Sequence, residues 1–115
     1  MTKSEILAGL SYEIRRGTIV LCVLAKIRKP TYGYSLIPEL TKAGITIETN
    51  TLYPLLRRLE SQGLLESEWN TTDGAKPRKY YHITDLGKEV YGELKAMWRS
   101  LVESMGTLDE EEAAI

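Results

Sequence analysis

The chain has 115 residues, a length that corresponds to one small domain. Apolar residues make up 43% of it, enough for a packed core. No apolar run approaches the ~20 residues that cross a bilayer, and the acidic N-terminus is unlike a secretory signal. The single cysteine, Cys22, rules out an internal disulfide, so we expect a cytoplasmic protein with Cys22 in its core.

Charge is distributed unevenly along the chain. The formal net charge of −1 is unusual for a nucleic-acid-binding protein. However, residues 1–83 contain 12 Lys and Arg against 8 Asp and Glu, a balance of +4, whereas residues 84–115 contain 3 against 8, a balance of −5. Because the acidic residues are concentrated at the C-terminal end, the rest of the chain can carry a local positive field.

The N-terminal part predicts two helices. Residues 3–28 combine Leu7, Leu10 and Ile14 on one face with an apolar run, residues 19–24, that we expect to be largely buried. A second helix is expected over residues 32–43 and should end at Gly44. Pro38 would lie inside this second helix and bend it, since proline removes a backbone hydrogen bond.

The third predicted helix, residues 49–63, has the clearest amphipathic pattern. Its leucines recur at helical spacing and predict one buried stripe: Leu52, Leu55, Leu56 and Leu59. We expect an N-cap among residues 49–51, Pro54 in the first turn and Gly63 as a left-handed C-cap. The opposite face is polar and basic, which is typical of contacts with bases and phosphates but also of an ordinary solvated surface.

A β-hairpin is predicted next, from strands at residues 64–69 and 79–83 with an Asp73-Gly74 turn in the loop between them. A hairpin after two helices with a tight connection makes a winged helix-turn-helix, so the predicted fold class is mainly α (α+β). In that fold the third helix enters the major groove and the wing follows the phosphate backbone. We therefore expect phosphate contacts from Arg57, Arg58, Lys76, Arg78 and Lys79, base contacts from Asn50, Thr51 and Tyr53, and a further DNA contact from Tyr32.

The last predicted helix, residues 84–106, is capped by Thr84 and has no obvious partner within the chain. Its apolar positions have the 4, 3, 4 spacing of a coiled-coil seam: Val90, Leu94, Met97 and Leu101. We expect it to pair with a second copy, joined by the N-terminal helix, so that a homodimer presents two reading helices to a two-fold DNA site. Residues 1–83 would then form the DNA-binding domain, and residues 107–115 an acidic disordered tail.

Three motifs, in this order, resemble those of PadR-like transcriptional regulators: YGYSL (Tyr32 to Leu36), TLYPLLRRLESQGLL (Thr51 to Leu65) and PRKYYHITDLG (Pro77 to Gly87). The length resembles the branch with a single C-terminal helix. The resemblance implies a winged-helix dimer that represses transcription, often of detoxification or efflux genes, and releases DNA on a small-molecule or stress signal. It also implies that Trp98 matches a tryptophan that stacks planar aromatic ligands at the dimer interface in drug-sensing members. The alternative role for Trp98 is dimer core.

The sequence leaves one alternative class of function open and disfavours another. A winged helix can bind proteins with the same face that others use for DNA, so a protein–protein interaction module is the main alternative. An enzyme is disfavoured, because the lone His82 has no second His or Cys near it in sequence, and Glu66 and Glu68 have the pattern of solvated strand charges. We expect His82 at the hairpin surface, and no catalytic residue, metal or cofactor.

Overall fold

The computed structural model describes residues 1–71 and 76–114, with the backbone alone for residues 112–114. The described elements are α1 (Lys3–Lys26), β1 (Thr31–Tyr32), a 3-10 helix (Gly33–Ser35), α2 (Leu36–Lys42), α3 (Thr49–Ser61), β2 (Leu65–Asn70), β3 (Arg78–Ile83) and α4 (Asp85–Ala114). Helices dominate, and the strands form one small antiparallel sheet, so the predicted winged-helix class is confirmed. Within these residues, no helix has both the length and the apolarity needed to cross a bilayer.

The core lies between the C-terminal half of α1, the helices α2 and α3, and the inner face of the sheet. The leucine stripe of α3 is buried as predicted: Leu52, Leu55, Leu56 and Leu59. Val23, Leu24 and Ile27 of α1 pack in the same cluster, as do Tyr81 and Ile83 of β3. Because all three helices and the sheet share one cluster, the exposed face of α3 is held rigidly relative to the hairpin.

The hairpin strands form within one residue of the predicted bounds, and a third strand, β1, joins the sheet. β3 lies between β2 and β1, and Tyr32 of β1 is opposite Tyr80. The sequence reasoning missed β1, because two residues are too few to show a period. Thr31 and Tyr32 are therefore strand residues, and the helix predicted over residues 32–43 is shorter than expected.

Both predicted glycine stops are confirmed. Gly44 and Gly63 have φ of 87° and 81°, in the left-handed region that favours glycine. After α3, the Leu64 amide donates to the Leu59 carbonyl at 3.0 Å and the Gly63 amide donates to that of Glu60 at 3.0 Å. This pair of bonds is the Schellman arrangement, and it satisfies carbonyls that the helix end leaves unpaired.

Both proline expectations were wrong. A 3-10 turn precedes α2, so Pro38 falls in the first turn of the helix, where its missing N–H costs little. Conversely α3 begins at Thr49 with Glu48 as its N-cap and no side-chain capping bond, which puts Pro54 inside the helix. The Asn50 carbonyl therefore loses its intrahelical donor.

The two long helices also differ from expectation. Along α1, Val23 and Leu24 are buried, but the rest of the 19–24 run is only half-buried. Leu7, Leu10 and Ile14, which were predicted only to share one face, are exposed. α4 continues to Ala114, so residues 107–114 are helical rather than disordered, and Ile115 lies outside the described residues. Both helices extend beyond the core and carry apolar side chains that are exposed to solvent.

Candidate nucleic-acid interface

The exposed face of α3 carries the predicted reading residues. Asn50, Thr51, Arg57 and Arg58 are exposed, and Tyr53 is 36% exposed. They lie outward because the leucine stripe fixes the rotation of the helix: each inward leucine determines which neighbours face water. The two arginines are consecutive, and consecutive helix positions are about 100° apart around the axis, so they serve different sides of α3.

Arg57 faces a space between α3 and the hairpin, which we call the wing cleft. The cleft has a volume of about 400 Å³ and is lined by Gly33, Tyr34, Tyr53, Arg57, Trp69, Pro77, Arg78, Lys79 and Tyr81. Gly33 lies close against the Tyr81 ring, since a Cβ there would be 3.1 Å from it. The wing cleft brings together three of the predicted DNA-binding cations, from α3 and β3.

Arg78 is held on the ring of Tyr34 at the rim of the cleft. Its guanidinium carbon lies 5.2 Å from the ring centroid, and its Nη1 donates to the Tyr34 hydroxyl oxygen at 3.2 Å. The Tyr34 ring in turn packs against Tyr32, with centroids 5.5 Å apart. Stacking and hydrogen bonding together limit the positions that this guanidinium can take.

Lys79 is engaged within the chain. Its Nζ lies 3.7 Å from the Glu60 carboxylate at the end of α3, and 5.8 Å and 5.4 Å from the ring centroids of Trp69 and Tyr81. Glu60 also accepts a hydrogen bond of 2.5 Å from Ser67. Lys79 therefore ties the wing to α3. Lys76 is exposed, whereas the predicted Asp73-Gly74 turn lies outside the described residues.

Tyr32 lies on the other face of the sheet. It packs edge-on against Tyr80, with centroids 5.8 Å apart, and its hydroxyl accepts a hydrogen bond from the Asn70 amide at 2.8 Å. Since Tyr80 and Tyr81 are consecutive strand residues, they point to opposite faces, and Tyr81 is the one in the cleft. Tyr32 thus does not line the wing cleft, and it contacts the residues there through the Tyr34 ring, whose centroid lies 5.5 Å from its own.

The same outer face carries the remaining hairpin charges. Glu66 lies 3.1 Å from His82 Nε2, and Glu68 accepts a hydrogen bond from the Tyr80 hydroxyl at 3.1 Å. That hydrogen bond, followed by the charge of Glu68, raises the pKa of Tyr80. His82 lies in the hairpin and is half-buried. Among residues 1–71 and 76–114, no three His, Cys, Asp or Glu side chains are grouped as a metal site would need.

Arg58 faces a second groove, between α3 and α1, of about 610 Å³. On the α1 side this groove is lined by Tyr12, Arg15 and Arg16, and on the α3 side by Asn50 and Thr51 among others. The sequence reasoning missed Arg15, Arg16, Tyr34 and Trp69. The adjacent arginines were visible as a pair, but only the packing of α1 beside α3 brings them near the reading face.

Comparison with known proteins shows the family. Residues 20–93 match the model of the transcriptional regulator PadR-like family. The chain belongs to this family. Its members are transcriptional regulators rather than enzymes, which implies that this PadR-like chain acts in DNA-binding regulation.

Solved structures and curated relatives agree with this membership. A PadR family transcriptional regulator from Eggerthella lenta DSM 2243 is 51% identical, covers 91% of this chain and 93% of its own, and has a TM-score of 0.83. A PadR-like transcriptional regulator from Bacillus cereus strain ATCC 14579 is 33% identical over 84% and 95% of the two chains, with a TM-score of 0.75. Transcriptional regulator Rv3488 of Mycobacterium tuberculosis is 36% identical over 66% of this chain and 71% of its own.

This PadR-like chain exposes a long apolar surface on α1 and α4. Of the predicted seam, Val90 and Leu94 are half-buried against the chain's own core, whereas Met97 and Leu101 are 65% and 61% exposed. Trp98 is 44% exposed. Further exposed apolar residues continue the surface: Ile6, Leu7, Leu10 and Ile14 on α1, and Val102, Met105 and Leu108 on α4. Folded proteins rarely leave so many large apolar side chains exposed on two helices.

Proposed function

We propose that the protein is a homodimeric, sequence-specific DNA-binding repressor of the cytoplasm. The observation that carries the proposal is the wing cleft, where Arg57 of α3 and Arg78 and Lys79 of the wing line one space. A helix with a polar outer face next to a basic hairpin suits a major groove flanked by a phosphate backbone. Family membership supports the same role.

The proposed interface divides into two sets of contacts. Asn50, Thr51 and Tyr53, on the first two turns of α3, read base edges or the sugars beside them. Arg57 and Arg58 on α3, with Lys76 and Arg78 on the wing, supply phosphate attraction. Lys79 contributes charge from a position fixed by Glu60.

The proposed dimer uses residues 84–106, which are Thr84 and most of α4, together with the N-terminal half of α1. Val90 and Leu94 anchor α4 to its own domain, so Met97, Leu101 and the exposed residues of α1 are the side chains left for a second copy. Two copies related by a two-fold axis would place two α3 helices against a two-fold operator. In this arrangement α4 sets the distance between the two α3 helices.

The proposed signal is a planar aromatic molecule bound between the two Trp98 side chains. Trp98 is only half-covered by its own chain, so its ring has area left to stack on a ligand or on the partner. Such a ligand releases DNA only if it binds the DNA-free spacing of the dimer more tightly than the DNA-bound spacing. Titrating the complex with planar aromatics should then lower DNA affinity, and Trp98→Ala should abolish this effect of the ligand. Unchanged DNA affinity at saturating ligand would rule out the coupling.

The DNA-binding proposal is tested with a fragment containing the protein's own promoter. The logarithm of the association constant should fall linearly with the logarithm of salt concentration, and Lys76→Ala should flatten that slope by about one unit. Lys88→Ala, which removes a lysine paired with Asp85 on α4, is the control and should leave the slope unchanged. A promoter fragment that is not bound would favour the protein–protein module instead.

A further inference from the structure

We infer that the wing cleft is a binding site for one DNA backbone phosphate, held jointly by Arg57 and Arg78, with Tyr34 as the residue that positions Arg78. This inference rests on the proposed function and deepens it. Tyr34 and Trp69 enter the DNA interface here, and a single phosphate connects the reading helix to the wing.

The charge of the cleft selects an anion. Its described lining includes Arg57, Arg78 and Lys79, and no acidic side chain is among those lining residues. The other two grooves differ, because Glu48 lines the groove beside α1 and Glu68 lines the one on the outer face of the sheet. Glu60, the acid bonded to Lys79, is also bonded to Ser67 and lies outside the lining. Like-signed cations from two elements repel one another until an anion sits between them.

Tyr34 is suited to hold Arg78 and the phosphate at once. The hydroxyl oxygen accepts the Arg78 Nη1 hydrogen at 3.2 Å, so its own proton remains to be donated to a phosphate oxygen. The ring attracts the guanidinium from a centroid distance of 5.2 Å and occupies none of its remaining N–H groups. A pre-oriented guanidinium loses less side-chain entropy when it binds an oxyanion.

The aromatic lining favours a sugar–phosphate chain over a free inorganic ion. Trp69 is 63% exposed although it lies on the inner face of β2, and Tyr53 lines the same cleft. Such rings can pack on the apolar faces of the deoxyriboses on either side of the phosphate. The exposed Trp69 ring would lose contact with water when a DNA backbone binds in the cleft, and burial of its apolar surface would favour binding.

The role of Tyr34 is tested by a double-mutant cycle on promoter DNA, using Tyr34→Phe, Arg78→Ala and the two combined. Each single change should weaken binding about ten-fold, the effect of one charged hydrogen bond. The combination should weaken binding by clearly less than the product of the two single losses, because part of the effect of Tyr34 is exerted through Arg78. Tyr80→Phe, which removes a tyrosine hydroxyl bonded to Glu68 on the outer face, is the matched control and should bind as wild type.

The shared phosphate is tested by replacing DNA phosphates one at a time with neutral methylphosphonate. At one position in each half-site the replacement should weaken wild-type binding about ten-fold and leave the Arg57→Ala/Arg78→Ala variant unaffected. Additive losses in the double-mutant cycle would overturn the inference while leaving DNA binding intact. So would the absence of any phosphate whose replacement weakens wild-type binding but not binding by the Arg57→Ala/Arg78→Ala variant. A wild-type protein that binds no DNA would overturn the proposed function as well.

Discussion

At Gly87, the first turn of α4 passes so close to the end of α3 that a side chain has no room. A Cβ would overlap the Leu64 carbonyl oxygen and lie 2.6 Å from Ile83 Cγ1. The glycine is therefore required by a close approach of two backbones rather than by an unusual φ.

Gly87→Ala should lower the free energy of unfolding by about 1–3 kcal/mol, since backbone atoms must shift to admit the methyl group. Gly92→Ala is the control: it lies five residues along α4 with nothing within 4 Å of the added methyl. In this open helical position alanine should raise stability by about 0.5–1 kcal/mol. Urea denaturation at equal protein concentrations measures both. Equal effects of the two changes would contradict the close approach.

Cys22 is half-buried, and burial raises the pKa of its thiol. A raised pKa means that less thiolate is present at a given pH, and the thiolate is the nucleophile. Alkylation by iodoacetamide at pH 7.5 should therefore be several-fold slower than for a free cysteine, and should accelerate at a higher pH than for the free amino acid. Denaturant should restore the ordinary rate. Fast alkylation of the folded protein would show that the thiol is open to solvent.

At the scale of elements, Thr84 links the end of α3 to the start of α4. Its hydroxyl accepts a hydrogen bond from the Gly87 amide at 3.0 Å, as predicted for an N-cap, and donates one to the Gly63 carbonyl at 2.6 Å. Its own amide donates to the Leu64 carbonyl at 3.0 Å. One residue thus fixes the angle at which the proposed dimerisation helix leaves the DNA-binding unit.

Thr84→Ala should cost about 1–2 kcal/mol of stability because both hydroxyl bonds are lost at a helix start. Thr84→Ser keeps the hydroxyl and should lie near wild type. Thr41→Ala removes a hydroxyl that bonds back to the Ile37 carbonyl on an exposed helix face, and should change stability by less than about 0.5 kcal/mol. Thermal unfolding of the three variants provides the measurement. A loss of stability in Thr41→Ala as large as that in Thr84→Ala would contradict this role of Thr84.

At the scale of the whole molecule, charge and apolar surface are segregated. Cations concentrate around α3 and the wing, whereas the outer part of α4 combines exposed apolar residues with the acidic Asp109, Glu110 and Glu111. The acidic end makes the net charge of the chain more negative without adding an acidic side chain to the described lining of the wing cleft. A net charge near zero is therefore compatible with local attraction for DNA.

Leu101→Glu should convert the protein to a monomer and weaken operator binding, because a charge would be buried where two copies meet. Sedimentation velocity measures the oligomeric state directly. Arg99→Glu, an exposed change two residues away and outside the 4, 3, 4 seam, is the control and should remain dimeric. A dimer of unchanged stability in the Leu101 variant would locate the interface elsewhere.

The sequence by itself determined the features that depend on local spacing. The leucines of α3 share one face because 3.6 residues make a turn, and Gly44 and Gly63 end their helices because other residues avoid positive φ. The hairpin was likewise visible as two short apolar-rich strands around a turn-rich loop. Together with three motifs, these local rules were enough for the fold class and the family.

Only the tertiary structure decided which side chains meet. Arg57 and Arg58 line different grooves, Lys79 pairs with Glu60, and Arg78 packs on Tyr34. Tyr32 lies on the outer face of the sheet, and Val90 and Leu94 pack against the chain's own core. The tertiary structure also decided where α2 and α3 begin. As a result Pro38 lies in the first turn of α2 and Pro54 lies inside α3, the reverse of the expectation. These outcomes depend on packing between elements distant in the chain, and periodicity within one element carries no information about that packing.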